Sequence, residues 1–242
     1  MKAVVTGAAS GLGRAVAALL VERGATVIGL DLEGAERAAA VEATGASYVA
    51  CDVTSQADWA TAAAVIGDRL GTIDVLALNA GVMTRSPSDP IDDDSLMLAG
   101  TAGYRRVFAV NVDGPIFGLA ALRSLLVDGS SVVITASTAG LGGLAFDPYY
   151  SASKHAVVGV VRSLGPSLLQ VGIRLNALCP GGIDTAIVPE HLRRAVPAAA
   201  FREPADVARA LLRVAAQPTS GDAWLLSDLH INDSDASIQR VH

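Results

Sequence analysis

Short apolar runs alternate with helix-length amphipathic segments from one end of the chain to the other. This alternation limits the possible folds more than any other feature. Parallel strands covered on both faces read as near-continuous apolar runs, and joining two of them takes a crossover about as long as a helix. The pattern predicts strands at residues 3–6, 26–31, 47–51, 73–78, 131–135, 174–179 and 223–226. Helices are predicted between them at 12–23, 33–43, 56–70, 103–127, 150–171 and 204–216. No Pro/Ser-rich linker and no internal repeat divides the 242 residues. One α/β domain covering residues 1–242 is expected, a doubly wound parallel sheet of about seven strands with helices on both faces.

Composition narrows the function classes. With 51% hydrophobic and 17% charged residues the chain is no disordered segment. Its mean hydropathy of +0.44 raises the question of a membrane span. The longest apolar stretches, 107–122 and 156–164, are interrupted by Asn111, Asp113 and Arg162, short of the ~18 residues that a spanning helix needs. The surplus apolar surface is therefore assigned to a core and to contacts between subunits. A net charge of −6 and the lack of any basic run argue against nucleic acid as a partner. Met1 and Lys2 lead straight into the first strand, so a cytoplasmic protein without a leader is expected. Cys51 and Cys179 each follow an apolar residue and have no CxxC partner, which reads as two reduced thiols, and no metal site is expected.

Residues 6–13, Thr-Gly-Ala-Ala-Ser-Gly-Leu-Gly, link the first strand to the first helix. Gly7, Gly11 and Gly13 permit a tight turn, and with Ser10 and Leu12 they open a helix whose free N–H groups suit a pyrophosphate. A purely structural turn has the same appearance. Asp31 ends the second strand, where a carboxylate accepts hydrogen bonds from an adenosine ribose and repels a 2′-phosphate. Neither Ser10 nor Leu32 brings an offsetting cation, so NAD is favoured over NADP. The alternative role for Asp31 is a cap on the following helix. Asp52 and Val53 after the third strand, and Asn79, Ala80 and Gly81 after the fourth, lie on the same strand-end rim.

Tyr150 and Lys154 are four residues apart, on one face of a helix. Only Lys2 and Lys154 among 18 basic residues are lysines, which makes a chance pairing less expected, although a plain surface pair remains the alternative. Bringing a phenol from about 10 toward about 7 takes roughly 4 kcal/mol. A neighbouring ammonium and an oxidised nicotinamide ring are the expected sources, making Tyr150 a general acid or base. Ser137, thirteen residues earlier at a strand end, is placed to hold a substrate oxygen. Asn111, a poor helix former inside a helix, either holds a relay water for Lys154 or serves packing. Residues 82–100 read as a solvated loop or as a substrate-selecting edge, and 186–202 as a short lid.

Together these residues resemble the short-chain dehydrogenase/reductase family, from Thr6 to about Leu226. The resemblance implies a Rossmann-like sheet of strand order 3-2-1-4-5-6-7 and a TGxxxGxG pyrophosphate loop at Gly7, Gly11 and Gly13. It further implies an Asn-Ser-Tyr-Lys tetrad at Asn111, Ser137, Tyr150 and Lys154. Pro180-Gly181, Ile183 and Thr185 then become cofactor contacts, with Thr185 on the nicotinamide carboxamide. Departures are Pro166 inside a helix, where a kink is expected, the short lid, and Ser227-Asp228-Leu229 in place of a frequent glycine pair.

The function expected on this basis is NAD-dependent interconversion of a secondary alcohol and a ketone. Leu144, Phe146, Asp147, Tyr149, Ile187, Val188 and Leu192 are the substrate-pocket candidates, and their bias suggests an apolar or cyclic alcohol. A halohydrin dehalogenase is disfavoured by the intact loop and Tyr-Lys pair. An NAD-binding sensor without turnover is the alternative from another class. The two longest predicted helices carry apolar residues on more than one face, including Val161 and Leu168, and the family resemblance implies a homotetramer built on them.

Overall fold

Alternate residues of the central strands feed two separate cores, one on each face of the sheet. Val4, Leu76, Val132 and Leu175 point into one, whereas Val5, Ala77, Val133 and Leu178 point into the other. This follows from the period-two pleat of strands buried on both sides. The computed structural model describes residues 1–86, 94–195, 197, 200–226 and 238–241.

The strands are β1 (Lys2–Thr6), β2 (Thr26–Asp31), β3 (Ser47–Ala50), β4 (Ile73–Leu78), β5 (Leu126–Thr135), β6 (Arg174–Cys179), β7 (Ala223–Leu226) and β8 (Ile238–Val241). The helices are α1 (Gly11–Glu22), α2 (Ala35–Glu42), α3 (Gln56–Leu70), α4 (Ala102–Phe108), α5 (Gly114–Leu122), α6 (Pro148–Leu169), α7 (Glu190–Ala195) and α8 (Pro204–Ala215). The described residues form one sheet of order β3-β2-β1-β4-β5-β6-β7-β8. It reverses direction between β1 and β4, the kind of switch point where open α/β sheets bind ligands. Residues of α1 and α8 fill one core, and those of α3, α5 and α6 fill the other.

Three expectations need correction. The sheet has an eighth strand, since β8 pairs antiparallel with β7 and Arg240 makes an ion pair with Asp222 at 2.7 Å. Ser227, Asp228 and Leu229 lie outside the described residues.

The long helix predicted over 103–127 is broken. A π-helical stretch, Ala109–Asp113, separates α4 from α5. Pro115 has no N–H for the Asn111 carbonyl four residues back, and Gly114 N–H instead reaches the carbonyl of Ala109, five back. Strand β5 then begins at Leu126.

Pro166 lies inside α6, which continues to Leu169. The turn at 220–221 packs against this part of α6, where Ser220 Oγ donates to the Gly165 carbonyl at 2.9 Å. A Cβ at Gly165 would lie 2.3 Å from the backbone of Gly221. Gly165→Ala is therefore expected to destabilise the fold by about 1–3 kcal/mol, read as a lower urea midpoint with an unchanged slope.

Val161 belongs to the core and is fully buried, so a charge there would disrupt folding and would not report on association. The exposed large apolar residues of α5 and α6 are Ile116, Leu164 and Leu169.

Candidate active site

Thr6 ends β1, and its Oγ1 accepts hydrogen bonds from the N–H groups of Asn79 and Ala80 at 2.8 and 2.9 Å. This joins the glycine-rich turn to the end of β4. The turn leaves little room for a side chain at its three glycines. Gly7 has φ +67°, and a Cβ there would lie 3.1 Å from Ala80 Cα. At Gly13 a Cβ would lie 2.1 Å from the Gly7 carbonyl oxygen, and at Gly11, φ +48°, 3.0 Å from Thr185 Cγ2. The result is a bare backbone cradle at the start of α1. Its open N–H groups and the carboxylate at the end of β2 fit the pyrophosphate and ribose of a dinucleotide.

Asp31 is buried, and both carboxylate oxygens are engaged. Oδ2 accepts from Ala9 N–H at 2.9 Å, and Oδ1 accepts from Leu32 N–H at 2.9 Å. Arg37, on α2, also donates to Oδ1 at 2.7 Å. Neither Ser10 nor Leu32 offsets the charge of Asp31; Arg37 does, brought in by the first turn of α2.

At the other end of the cleft, Asp147 caps α6 by accepting from Tyr150 N–H at 3.0 Å. Its other oxygen accepts from the backbone N–H groups of Thr84 at 2.9 Å and Arg85 at 3.4 Å. Fully buried, Asp147 is a brace between the loop after β4 and the helix that carries Tyr150. This corrects its expected place in the substrate pocket. Ser151 Oγ donates to the Ala139 carbonyl at 2.6 Å, and a Cβ at Gly140 would lie 2.7 Å from the Lys154 carbonyl oxygen. The turn 138–140 therefore sits tight on α6, which brings Ser137 close enough to Tyr150 to favour its ionised form.

Lys154 Nζ donates to the Thr135 carbonyl at 2.8 Å and stands 5.7 Å from the Tyr150 ring centre. Burial pulls its pKa down to about 8, against a smaller upward effect from Cys179. The phenol of Tyr150 is pushed up from its ordinary value, chiefly by burial, with Ser137 opposing. The downward pull expected at Tyr150 needs an oxidised nicotinamide ring beside the ammonium, and in the protein alone desolvation prevails.

Asn111 is buried in the π-helical stretch. Its Nδ2 donates to the Val82 carbonyl at 2.9 Å and to Ser153 Oγ at 3.0 Å, while Oδ1 accepts from Val82 N–H at 2.9 Å. Both amide donors are thus occupied, which leaves little of the side chain for a relay water and favours the packing alternative for the amide itself.

A cleft of about 320 Å³ lies at the carboxyl ends of the strands, and Gly13, Asp31, Asn111 and Asp147 stand outside its lining. Gly7, Ser10, Gly11, Leu12, Asn79, Ala80, Gly81, Ser137, Tyr150, Lys154, Pro180, Gly181, Ile183 and Thr185 all line it, as do Leu144, Phe146, Ile187 and Val188. Other predicted residues fall elsewhere. Tyr149 donates to the Leu96 carbonyl at 3.3 Å and packs edge-on against Tyr104. Asp52 turns back on Thr54, whose N–H and hydroxyl it accepts at 2.9 and 2.8 Å. The Val53 carbonyl accepts from Trp59 Nε1 at 2.9 Å. The side chain of Leu192 is outside the described residues.

Met83, Thr135 and Phe201 also line the cleft, beyond the residues expected from the sequence. Thr135 was within reach of the sequence, two residues before Ser137 at the same strand end. Arg193 stacks over Phe201 at 5.9 Å, donates to the Thr185 carbonyl at 2.7 Å and pairs with Asp184, so α7 is fastened beside the mouth.

The family profile described as short chain dehydrogenase matches residues 1–195. The chain belongs to that family. It is 36% identical over 187 residues to a sorbitol dehydrogenase of Cereibacter sphaeroides, covering 75% of this chain and 70% of the relative. It is also 36% identical over 231 residues to a cis-4-hydroxycyclohexanecarboxylate dehydrogenase of Sinomonas cyclohexanicum, covering 90% of each. Among solved structures, a dehydrogenase/reductase from Sinorhizobium meliloti 1021 superimposes with a TM-score of 0.80 at 27% identity, over 93% of this chain and 92% of that one. This family of oxidoreductases shares the Rossmann-like architecture found here. Among the described residues no helix is long and apolar enough to cross a membrane.

Proposed function

We propose that the protein is an NAD-dependent oxidoreductase that interconverts a secondary alcohol and a ketone, with Tyr150 as the general acid/base. The observation that carries this reading is the meeting, in one cleft, of the glycine cradle and the Ser137-Tyr150-Lys154 group. The names of the two relatives, both dehydrogenases of hydroxyl-bearing compounds, support it. When bound, the oxidised dinucleotide supplies the hydride acceptor and a positive charge that favours phenolate. Ser137 Oγ holds the substrate oxygen, and Tyr150 takes the hydroxyl proton as the carbonyl forms or returns it in reduction. Lys154, with Nζ held on the Thr135 carbonyl, adds positive charge on the same side. Apolar Leu144, Phe146, Ile187 and Val188 suit a largely apolar or cyclic substrate. The exposed faces at Ile116 and Leu164 suit contacts between copies in a homotetramer.

Screening NAD and NADP reduction against a panel of secondary alcohols tests the reading. NAD is expected to bind about tenfold more tightly than NADP, because the carboxylates of Asp31 and Glu33 oppose a 2′-phosphate. A protein that binds neither dinucleotide would refute the assignment. Tight NAD binding with no turnover across the panel would favour a sensor instead.

A further inference from the structure

Arg37 stands at the cofactor end, and the proposed function does not use it. Its guanidinium lies 2.7 Å from Asp31 Oδ1, and the two side chains are exposed very differently, 46% for Arg37 and 6% for Asp31. The carboxylate is held from beneath by Ala9 and Leu32 N–H groups, so Asp31 cannot follow Arg37, whereas the long half-exposed Arg37 can move. Tyr48 donates to the Leu32 carbonyl at 2.8 Å, and its hydroxyl feels the charges of Asp31, Glu33 and Arg37, which places all three about one small region.

Two carboxylates and one guanidinium leave this region with a net charge of about −1. Removing Arg37 makes it about −2 and frees one lone pair of Asp31 Oδ1 for a ribose hydroxyl. Both consequences act in the same direction. A 2′-phosphate meets more repulsion and loses a planar donor suited to its oxygens, while an unphosphorylated ribose gains an acceptor.

We propose that Arg37 is a specificity-determining residue that holds down the preference of this site for NAD over NADP. It shields Asp31 in the free protein and offers its guanidinium to a 2′-phosphate. The inference rests on the dinucleotide reading given above, and its test does not depend on finding a substrate.

Calorimetric titration of the wild-type chain and of Arg37→Gln with NAD, NADP, AMP and adenosine 2′,5′-bisphosphate provides the test. In Arg37→Gln the NAD-to-NADP affinity ratio is expected to rise about tenfold, with the same change for the AMP pair, since one unit charge beside a phosphate is worth about that much in a half-solvated site. Arg37→Lys, which keeps the charge, is expected to stay within about threefold of wild type. A ratio in Arg37→Gln that is unchanged within about twofold, or that moves toward NADP, would overturn the role of Arg37 and leave the dinucleotide reading intact. An Arg37→Lys ratio equal to that of Arg37→Gln would likewise overturn the role of charge. A wild-type chain that binds none of the four ligands would overturn both.

Discussion

Tyr150→Phe is expected to lower turnover by about 10²–10⁴-fold while dinucleotide affinity stays within about twofold of wild type. The substitution removes one oxygen from a ring that remains packed on α6, and the cradle at Gly7, Gly11 and Gly13 is at the far end of the cleft. Only proton transfer in the transition state is lost. Steady-state kinetics together with calorimetric titration separate the two quantities. A variant retaining more than about a tenth of wild-type turnover would contradict the assignment. The pH profile adds a second readout. Alcohol oxidation needs phenolate, and burial raises the phenol above its ordinary value in the protein alone. Wild-type oxidation should therefore rise toward alkaline pH, and the Phe variant should lose the part of that rise that Tyr150 supplies.

Lys154→Met should make the fold more stable at pH 7 and at the same time cost most of the activity. Burial lowers the lysine from 10.5 to about 8 in the folded protein. Below pH 8 both folded and unfolded chains carry the proton, and the folded state bears the whole penalty for the charge, about 3 kcal/mol. Between pH 8 and 10.5 the unfolded chain binds more protons than the folded one, so wild-type stability gains as pH rises through that window. Met fills the stem without the charge and removes both the penalty and the pH-dependent gain. It also leaves the Thr135 carbonyl without its donor, a loss of about 1–2 kcal/mol. The net expectation is about 1–2 kcal/mol of added stability at pH 7, shrinking toward pH 10. Urea unfolding at both pH values, without added dinucleotide, measures it. A Met variant less stable than wild type at pH 7 would show that the charge is held by more favourable contacts than the Thr135 carbonyl supplies.

Sequence alone determined whatever depends on the repeat of a single backbone element. The alternation of apolar runs and amphipathic segments dictated a parallel α/β sheet, because strand and helix periods are local properties. Tyr150 and Lys154 share a face because they are four apart on one helix, and Gly13 is required where its Cβ would strike the carbonyl of the same turn. Tertiary structure decided what depends on where separate segments meet. Asp147 looked like a pocket residue beside Tyr150, yet its second oxygen is taken by Thr84 and Arg85, over sixty residues away. The packing of the 220–221 turn against Pro166 was likewise invisible in the sequence. Val161 looked like an interface residue on a wide apolar helix, and only the sheet beneath α6 shows which stripe is core. Asp31 looked unopposed because Arg37 belongs to the next element, and the strand-to-helix turn swings it back onto the carboxylate. Local periodicity is set by covalent geometry and survives in the sequence, whereas charge pairing, desolvation and close packing arise between groups that only the folded chain brings together.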